Sequence, residues 1–311
     1  MYRDHRITAV VPAYNEARYI GSAVKTMPEF VDHIIVVDDC STDDTAEAAY
    51  AVGEPRLLVL HTPQNQGVGG AMVLGYRQAL DLGADIVVKM DGDGQMPPEY
   101  LPRLLDAIID GPCDYAKGNR FLAAESLAAM PMVRLLGNIV LTFMNKLASG
   151  YWHVFDPQNG YTAVSATALR KLDLNAIHKR FFFENDMLTQ LNYHAARVKD
   201  VAIPARYSDE ESDLNPFVIS LTFPALLLKR FVRRVYQKYI LRDFSPIALF
   251  LIVGGLLFAW GALYGMVLWV RTLRTGLPTP TGTIVLALLP LILGFQLLLQ
   301  GIVLDIEETP K

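Results

Sequence analysis

Short apolar runs alternate with amphipathic stretches through the first 110 residues. Residues 7–12 (Ile-Thr-Ala-Val-Val-Pro), 33–38, 56–61 and 85–90 have the length and branched side chains of buried strands. Between them lie segments with helical periodicity: 16–27, with Asn15 as its cap; 42–52, with Ser41 as its cap; 67–82; and a helix to about 109, opened by Pro97-Pro98 where proline is tolerated. Such alternation predicts the α/β class with a mostly parallel sheet. Farther on the pattern predicts a helix over 133–149, a strand over 161–165, a helix over 184–196 and extended chain over 198–204.

After the polar segment 208–215 the pattern changes. Residues 216–244 are apolar on one face and carry Lys229, Arg230, Arg233, Arg234, Lys238 and Arg242 on the other. That is the pattern of an amphipathic helix lying at a membrane surface, the alternative being a helix packed on a soluble domain. No charged residue occurs over 246–270 or 275–304, and each stretch is long enough to cross a bilayer. The expected organisation is therefore an α/β domain over 1–215, a juxtamembrane helix over 216–244, and a two-helix hairpin over 245–311 with spans near 246–270 and 282–304. Six basic residues precede the first span, while the connection offers only Arg271 and Arg274. The positive-inside rule then places the N-terminal domain and the tail at 305–311 in the cytoplasm, as a multi-pass protein of the cell membrane.

Composition and the N-terminal residues add four limits. The 311 residues are 52% hydrophobic with mean hydropathy +0.25, an excess confined to the C-terminal part. A net charge of -4 speaks against nucleic-acid binding. No signal peptide is expected, because Tyr2-Arg3-Asp4-His5-Arg6 leads straight into a strand. The two cysteines, Cys40 and Cys113, suggest a reducing compartment without a disulfide framework.

Ligands of open α/β sheets bind beyond the C-terminal ends of the strands. Three polar clusters fall at such ends: Tyr14-Asn15-Glu16, Asp38-Asp39 and Asp91-Gly92-Asp93-Gly94-Gln95. Two acids one residue apart suit a divalent cation over a diphosphate, and hard oxygen ligands suit Mg²⁺ or Mn²⁺. Glycine lets the backbone approach a ligand, although Asp and Gly also make plain turns. A calcium loop of the EF-hand type is excluded, since its twelfth position would be Pro102. The coincidence of three clusters predicts one shared site.

Several motifs then fall in order. Val10-Val11-Pro12-Ala13-Tyr14-Asn15-Glu16, Val36-Val37-Asp38-Asp39-Cys40-Ser41-Thr42-Asp43, Gln66-Gly67-Val68-Gly69-Gly70-Ala71, and Asp91 to Gln95 with Pro97-Pro98-Glu99 together resemble the GT-A glycosyltransferases of family 2. Gly118-Asn119-Arg120-Phe121, Arg134 with Gly137-Asn138, Asp156-Pro157-Gln158-Asn159-Gly160-Tyr161, and Arg206-Tyr207 followed by Ser212 are similar to segments of that family's polyprenyl-phosphate branch, the one that includes dolichyl-phosphate mannose synthase. Arg206 departs from the pattern, with Asp and Glu where glycine is usual.

The resemblance implies a GT-A fold with a C-terminal interfacial helix and a transmembrane hairpin. It implies that Pro12, Tyr14, Glu16 and one of Asp38 and Asp39 line the nucleotide. Asp91, Asp93 and Gln95 would hold the metal, and Arg120, Arg134 and Arg206 the acceptor phosphate. Asp186, in Glu184-Asn185-Asp186, occupies the place of an acidic motif that includes a catalytic base; it would act as that base or orient the sugar. The catalytic set is then Asp93, Arg120, Arg134 and Asp186.

The acceptor chemistry agrees on independent grounds. A lipid phosphate is already ionised at pH 7 and needs positive charge rather than deprotonation, and arginine supplies it through bidentate contact. The expected activity is inverting transfer of a single sugar from a GDP- or UDP-sugar to a dolichyl or undecaprenyl phosphate at the cytoplasmic membrane face. The partners would be the nucleotide-sugar, the polyprenyl phosphate and the lipid bilayer, with a homo-oligomer left open. Transfer to another lipid or glycan is the near alternative. An inactive membrane scaffold is the distant one, against which the intact Asp91, Asp93 and Arg120 stand.

Overall fold

A computed structural model describes residues 1–94, 96–120, 132–204 and 216–310, without side chains at 132–138 and 216–221. The chain divides into two compact units, Met1–Arg230 and Phe231–Thr309.

In the first unit a seven-stranded sheet has the order β3-β2-β1-β4-β6-β5-β7. Its strands are β1 (Ile7–Ala13), β2 (His33–Asp38), β3 (Leu57–His61), β4 (Ile86–Lys89), β5 (Tyr115–Asn119), β6 (Thr162–Ser165) and β7 (Val198–Ala202). Only β6 runs antiparallel to its neighbours. Central strands of such a sheet are covered on both faces and read as unbroken apolar runs. Accordingly Ala9, Val10, Val11, Ile34, Ile35, Val36 and Val37 are all fully buried. One core, around Ile7, Val36 and Val88, packs under α1 (Ile20–Lys25), α2 (Thr45–Tyr50) and α4 (Leu101–Ile109). The other, around Val10, Val87 and Tyr115, packs under α3 (Val68–Asp81) and α7 (Phe183–Tyr193). Helix α5 (Met132–Ser149) and the short α6 (Ala166–Leu169) complete this α/β layer.

The structure corrects several boundaries. Helix α1 begins at Ile20, because Asn15 sits at φ +58° and cannot open a helix at 16. Its side-chain Oδ1 instead accepts from the Thr42 amide and hydroxyl. Helix α2 begins at Thr45, and Ser41 caps nothing: its Oγ accepts from the Asn15 amide. Both caps are spent on stitching the β1 and β2 exit loops together. Strand β5 is absent from the sequence expectation, because Tyr-Ala-Lys-Gly-Asn buries two polar residues and shows neither alternation nor an apolar run.

Helix α8 (Pro216–Tyr236) continues into a π-helical turn at Gln237–Arg242. The expected polar face is wrong in detail. Phe223, Leu227, Arg230 and Arg234 follow one another at helical spacing, and all but the nearly buried Arg230 are fully covered. Leu228, Val232 and Tyr236 form the exposed stripe. Guanidinium groups are buried here because each has a carboxylate: Asp186 for Arg230, Asp305 for Arg234.

In the second unit, α9 (Pro246–Thr275) and α10 (Thr281–Glu307) are both long and apolar enough to cross a membrane. They pair closely through Gly254, Gly261, Ala287 and Gly294. A Cβ at Gly261 would lie 2.6 Å from the Leu291 amide nitrogen and 2.7 Å from the Ala287 carbonyl. Arg234 grips Asp305 with both nitrogens at 2.6 and 2.9 Å, and the Tyr239 hydroxyl donates to the same carboxylate at 2.5 Å.

Candidate active site

Strands β2, β1 and β4 are neighbours, so their C-terminal ends carry the three polar clusters side by side. Gly92 closes the gap between two of them: a Cβ there would lie 3.6 Å from the Pro12 carbonyl and 3.7 Å from Glu16 Cγ. Tyr14 stands exposed at the rim. Below it, Glu16 donates its amide to the Thr45 hydroxyl.

The two acids ending β2 have different partners. Asp39 is buried and accepts from the Thr62 hydroxyl at 2.7 Å and from the amides of Gln66 and Gly67, the latter at 2.6 Å. It fixes the loop that enters α3. Asp38 accepts from the Ser41 amide at 3.1 Å and lies 3.0 Å from His61 Nδ1. The glycines after Gln66 serve close packing: the Gly70 amide donates to Lys179 O at 2.9 Å, and a Cβ at Gly69 would collide with the His178 carbonyl.

Asp91 is not an isolated acid. Its Oδ1 lies 2.5 Å from the Nζ of Lys89, which in turn lies 3.4 Å from Glu184 Oε1. Burial works to lower the Lys89 ammonium, but Asp91 and Glu184 outweigh it and hold the group above its ordinary value. Asp91 and Asp93 are both half-exposed beyond β4. Among the described residues no three metal-ligating side chains cluster. Asp91 and Asp93, as hard carboxylates, fit a cation that draws its other ligands from a diphosphate and water, as Mg²⁺ does.

Arg120, just past β5, is gripped by Asp156: Nε to Oδ2 at 2.8 Å and Nη2 to Oδ1 at 3.0 Å. Burial works to raise Asp156, but Arg120 and Lys117 keep its carboxyl below the usual range. Lys117 is fully buried and donates to the Asn159 carbonyl at 2.7 Å; burial pushes it down to about 8. The Arg134 position falls in the first turns of α5, with its side chain outside the described residues, and Gln95 and Arg206 also lie outside them.

Asp186 differs from a substrate-facing acid. It is fully buried, and its Oδ2 accepts from the His178 amide and from Arg230 Nη2, both at 2.7 Å. Sequence reasoning missed Lys89, Lys117 and the clamp by Asp156. For Lys89 the available signal was its place inside the apolar run 85–90, since lysine is almost never buried without a partner; Lys117 gave none, because β5 itself was not legible.

The description Glycosyl transferase family 2 matches residues 8–173. The chain is 31% identical over 221 residues to a UDP-N-acetylglucosamine–dolichyl-phosphate N-acetylglucosaminyltransferase of Methanococcus voltae, covering 66% of this chain and 88% of that one. It is 32% identical over 203 residues to an undecaprenyl-phosphate mannosyltransferase of Micrococcus luteus, covering 64% and 82%. Among solved structures, glucosyl-3-phosphoglycerate synthase of Mycobacterium tuberculosis with bound UDP superposes with a TM-score of 0.56 at 23% identity, covering 74% of this chain and 81% of that one. The chain belongs to glycosyl transferase family 2. Sugar transfer on an α/β scaffold of the GT-A kind follows from that membership.

Proposed function

We propose that this chain transfers one sugar from a nucleotide-sugar to a polyprenyl phosphate, inverting the anomeric centre. The observation that carries the reading is that β4 and β5, both antiparallel to the β6 between them, end at the same edge of the sheet, with Asp91 and Asp93 past one and the Asp156-clamped Arg120 past the other. Asp91 and Asp93 suit a cation on the donor diphosphate, which would neutralise the departing nucleoside diphosphate. Arg120 suits an anionic acceptor, and Arg134 and Arg206 join it in this reading. Pro12, Tyr14, Glu16 and one of Asp38 and Asp39 line the nucleotide in this reading. An ionised phosphate needs no base, which suits an Asp186 already committed to Arg230. The relatives named for dolichyl- and undecaprenyl-phosphate transfer support the acceptor class.

The exposed Leu228, Val232 and Tyr236 and the apolar helices α9 and α10 suit attachment to the bilayer that holds such a lipid. The catalytic unit lies on the cytoplasmic side in this proposal, by the charge asymmetry across the first span.

The test is a screen of UDP- and GDP-sugars against polyprenyl phosphate in vesicles, with products identified by mass. One pairing should give a glycosyl phosphate lipid, chelation should stop it, and Asp93→Ala should abolish it while leaving the folded protein's thermal midpoint in place. Full activity of Asp93→Ala in chelator would refute the metal assignment.

A further inference from the structure

Strands β4, β6 and β5 lie side by side, and their register sets Lys89, Thr162 and Lys117 opposite one another in a single row. Residues so paired send their side chains to the same face of a sheet. Two residues earlier on the same strands, Val87 and Tyr115 belong to the core that packs under α7, so both lysines point beneath that helix. Each is buried to within 1% of its surface. A buried ammonium persists only where nearby groups compensate it.

Asp91 and Glu184 compensate Lys89, and both ammonium groups abut residues 156–160. Lys117 donates to the Asn159 carbonyl at 2.7 Å. Lys89 packs on Gly160, where a Cβ would fall within contact distance of Nζ and 2.8 Å from Asp91 Oδ2. At the other end of this segment Asp156 clamps Arg120. Five residues thus run from the donor-side carboxylate to the acceptor-side arginine; Lys89 abuts Gly160, and Lys117 holds Asn159, whose side-chain amide donates to Asp156 at 3.3 Å.

We propose that Lys89 and Lys117 are positioning residues that hold segment 156–160 as a spacer, and so set the distance between donor and acceptor phosphate. This rests on the assignment of Asp91 to the donor side and Arg120 to the acceptor. Group transfer needs reacting atoms at about 3–3.5 Å, and a misplacement of about 1 Å costs on the order of 100-fold in rate. Lys89 bears on Asp91 and the Gly160 end, whereas Lys117 bears through Asn159 on Asp156 and so on Arg120, so their losses separate. A lysine that merely filled the core would weaken donor and acceptor use together.

The experiment uses the full chain in vesicles. UDP and GDP with Mg²⁺ are titrated by calorimetry, and transfer to polyprenyl phosphate and hydrolysis to water are measured separately. Lys117→Met should bind the nucleoside diphosphate within about twofold of the unaltered chain, while transfer falls on the order of 100-fold and the hydrolysis-to-transfer ratio rises. Gly160→Ala alters no charge and pushes the segment from its donor end; it should weaken nucleoside diphosphate binding about tenfold, as should Lys89→Met. Unchanged transfer in Lys117→Met overturns the proposal, as does a loss of nucleotide affinity in proportion to transfer. If a lysine variant fails to fold, Gly160→Ala decides, and unaltered binding and transfer there overturn it. An unaltered chain that binds nucleoside diphosphate yet transfers nothing to polyprenyl phosphate refutes the acceptor assignment instead.

Discussion

Asp156 grips both the Nε and Nη2 of Arg120, and that grip fixes the plane of the guanidinium. Asp156→Asn keeps the shape and removes the charge. Its acceptor KM should rise about tenfold with nucleotide affinity unchanged, equivalent to about 1.4 kcal/mol. The same carboxyl has a pH signature. Its value is depressed in the folded state, so its stabilisation is complete above the unfolded value of about 4 and is lost as pH falls through the folded one. Denaturant unfolding of Asp156→Asn should therefore show a smaller drop in stability below pH about 4 than the unaltered chain. The cysteines differ as sharply. Cys113 is buried, its thiol pushed up to about 11 by burial and donating to the Tyr115 carbonyl at 3.0 Å. Cys40 is exposed beside Asp39 at φ +61°. At neutral pH a thiol reagent should label Cys40 alone, read by mass after digestion.

At the scale of elements, apolar runs identified β1 to β4 because strands covered on both faces have no polar side to confuse the pattern. Strand β5 escaped because Lys117 and Asn119 are buried in it by partners that the local sequence does not name. Helix α8 was legible as amphipathic, but its rotation was not. Arginine reads as surface until a carboxylate distant in the chain is brought to it. The glycines after Gln66 match the family pattern, yet their physical cause is the close approach of α3 to residues 178–180. Gly69→Ala would drive a Cβ into the His178 carbonyl and to 3.0 Å from Phe183 Cβ. It should cost about 1–3 kcal/mol in urea unfolding of the first unit, the range for overpacking a filled site.

For the whole molecule, the first unit ends inside α8 at Arg230 rather than at the composition change near 215. Phe223 stacks edge-on against Phe182, Leu227 is buried, and Arg230 neutralises Asp186. A chain ending after Arg230 should fold and bind nucleotide. One ending after Asn215 leaves the buried Asp186 carboxylate without its guanidinium and should lose on the order of 3–5 kcal/mol, measured by denaturant midpoint. Membrane orientation is tested with the native thiol. Cys40 should react with an impermeant reagent only after permeabilisation, whereas a cysteine introduced by Leu277→Cys should react from outside in intact cells. The reverse pattern would place the reaction on the other face.

The sequence alone determined the α/β class, the first four strands and the helices between them, the family and the two apolar helices. Each of these is written in local periodicity or in motifs of adjacent residues, which need no folded chain to be read. Tertiary structure alone decided which charges are spent within the fold. Lys89 on Asp91 and Glu184, Arg120 on Asp156, Arg230 on Asp186 and Arg234 on Asp305 join positions that are mostly dozens of residues apart. A charge's role depends on its burial and its partner, and both are set only when the sheet order and helix rotations bring those positions together.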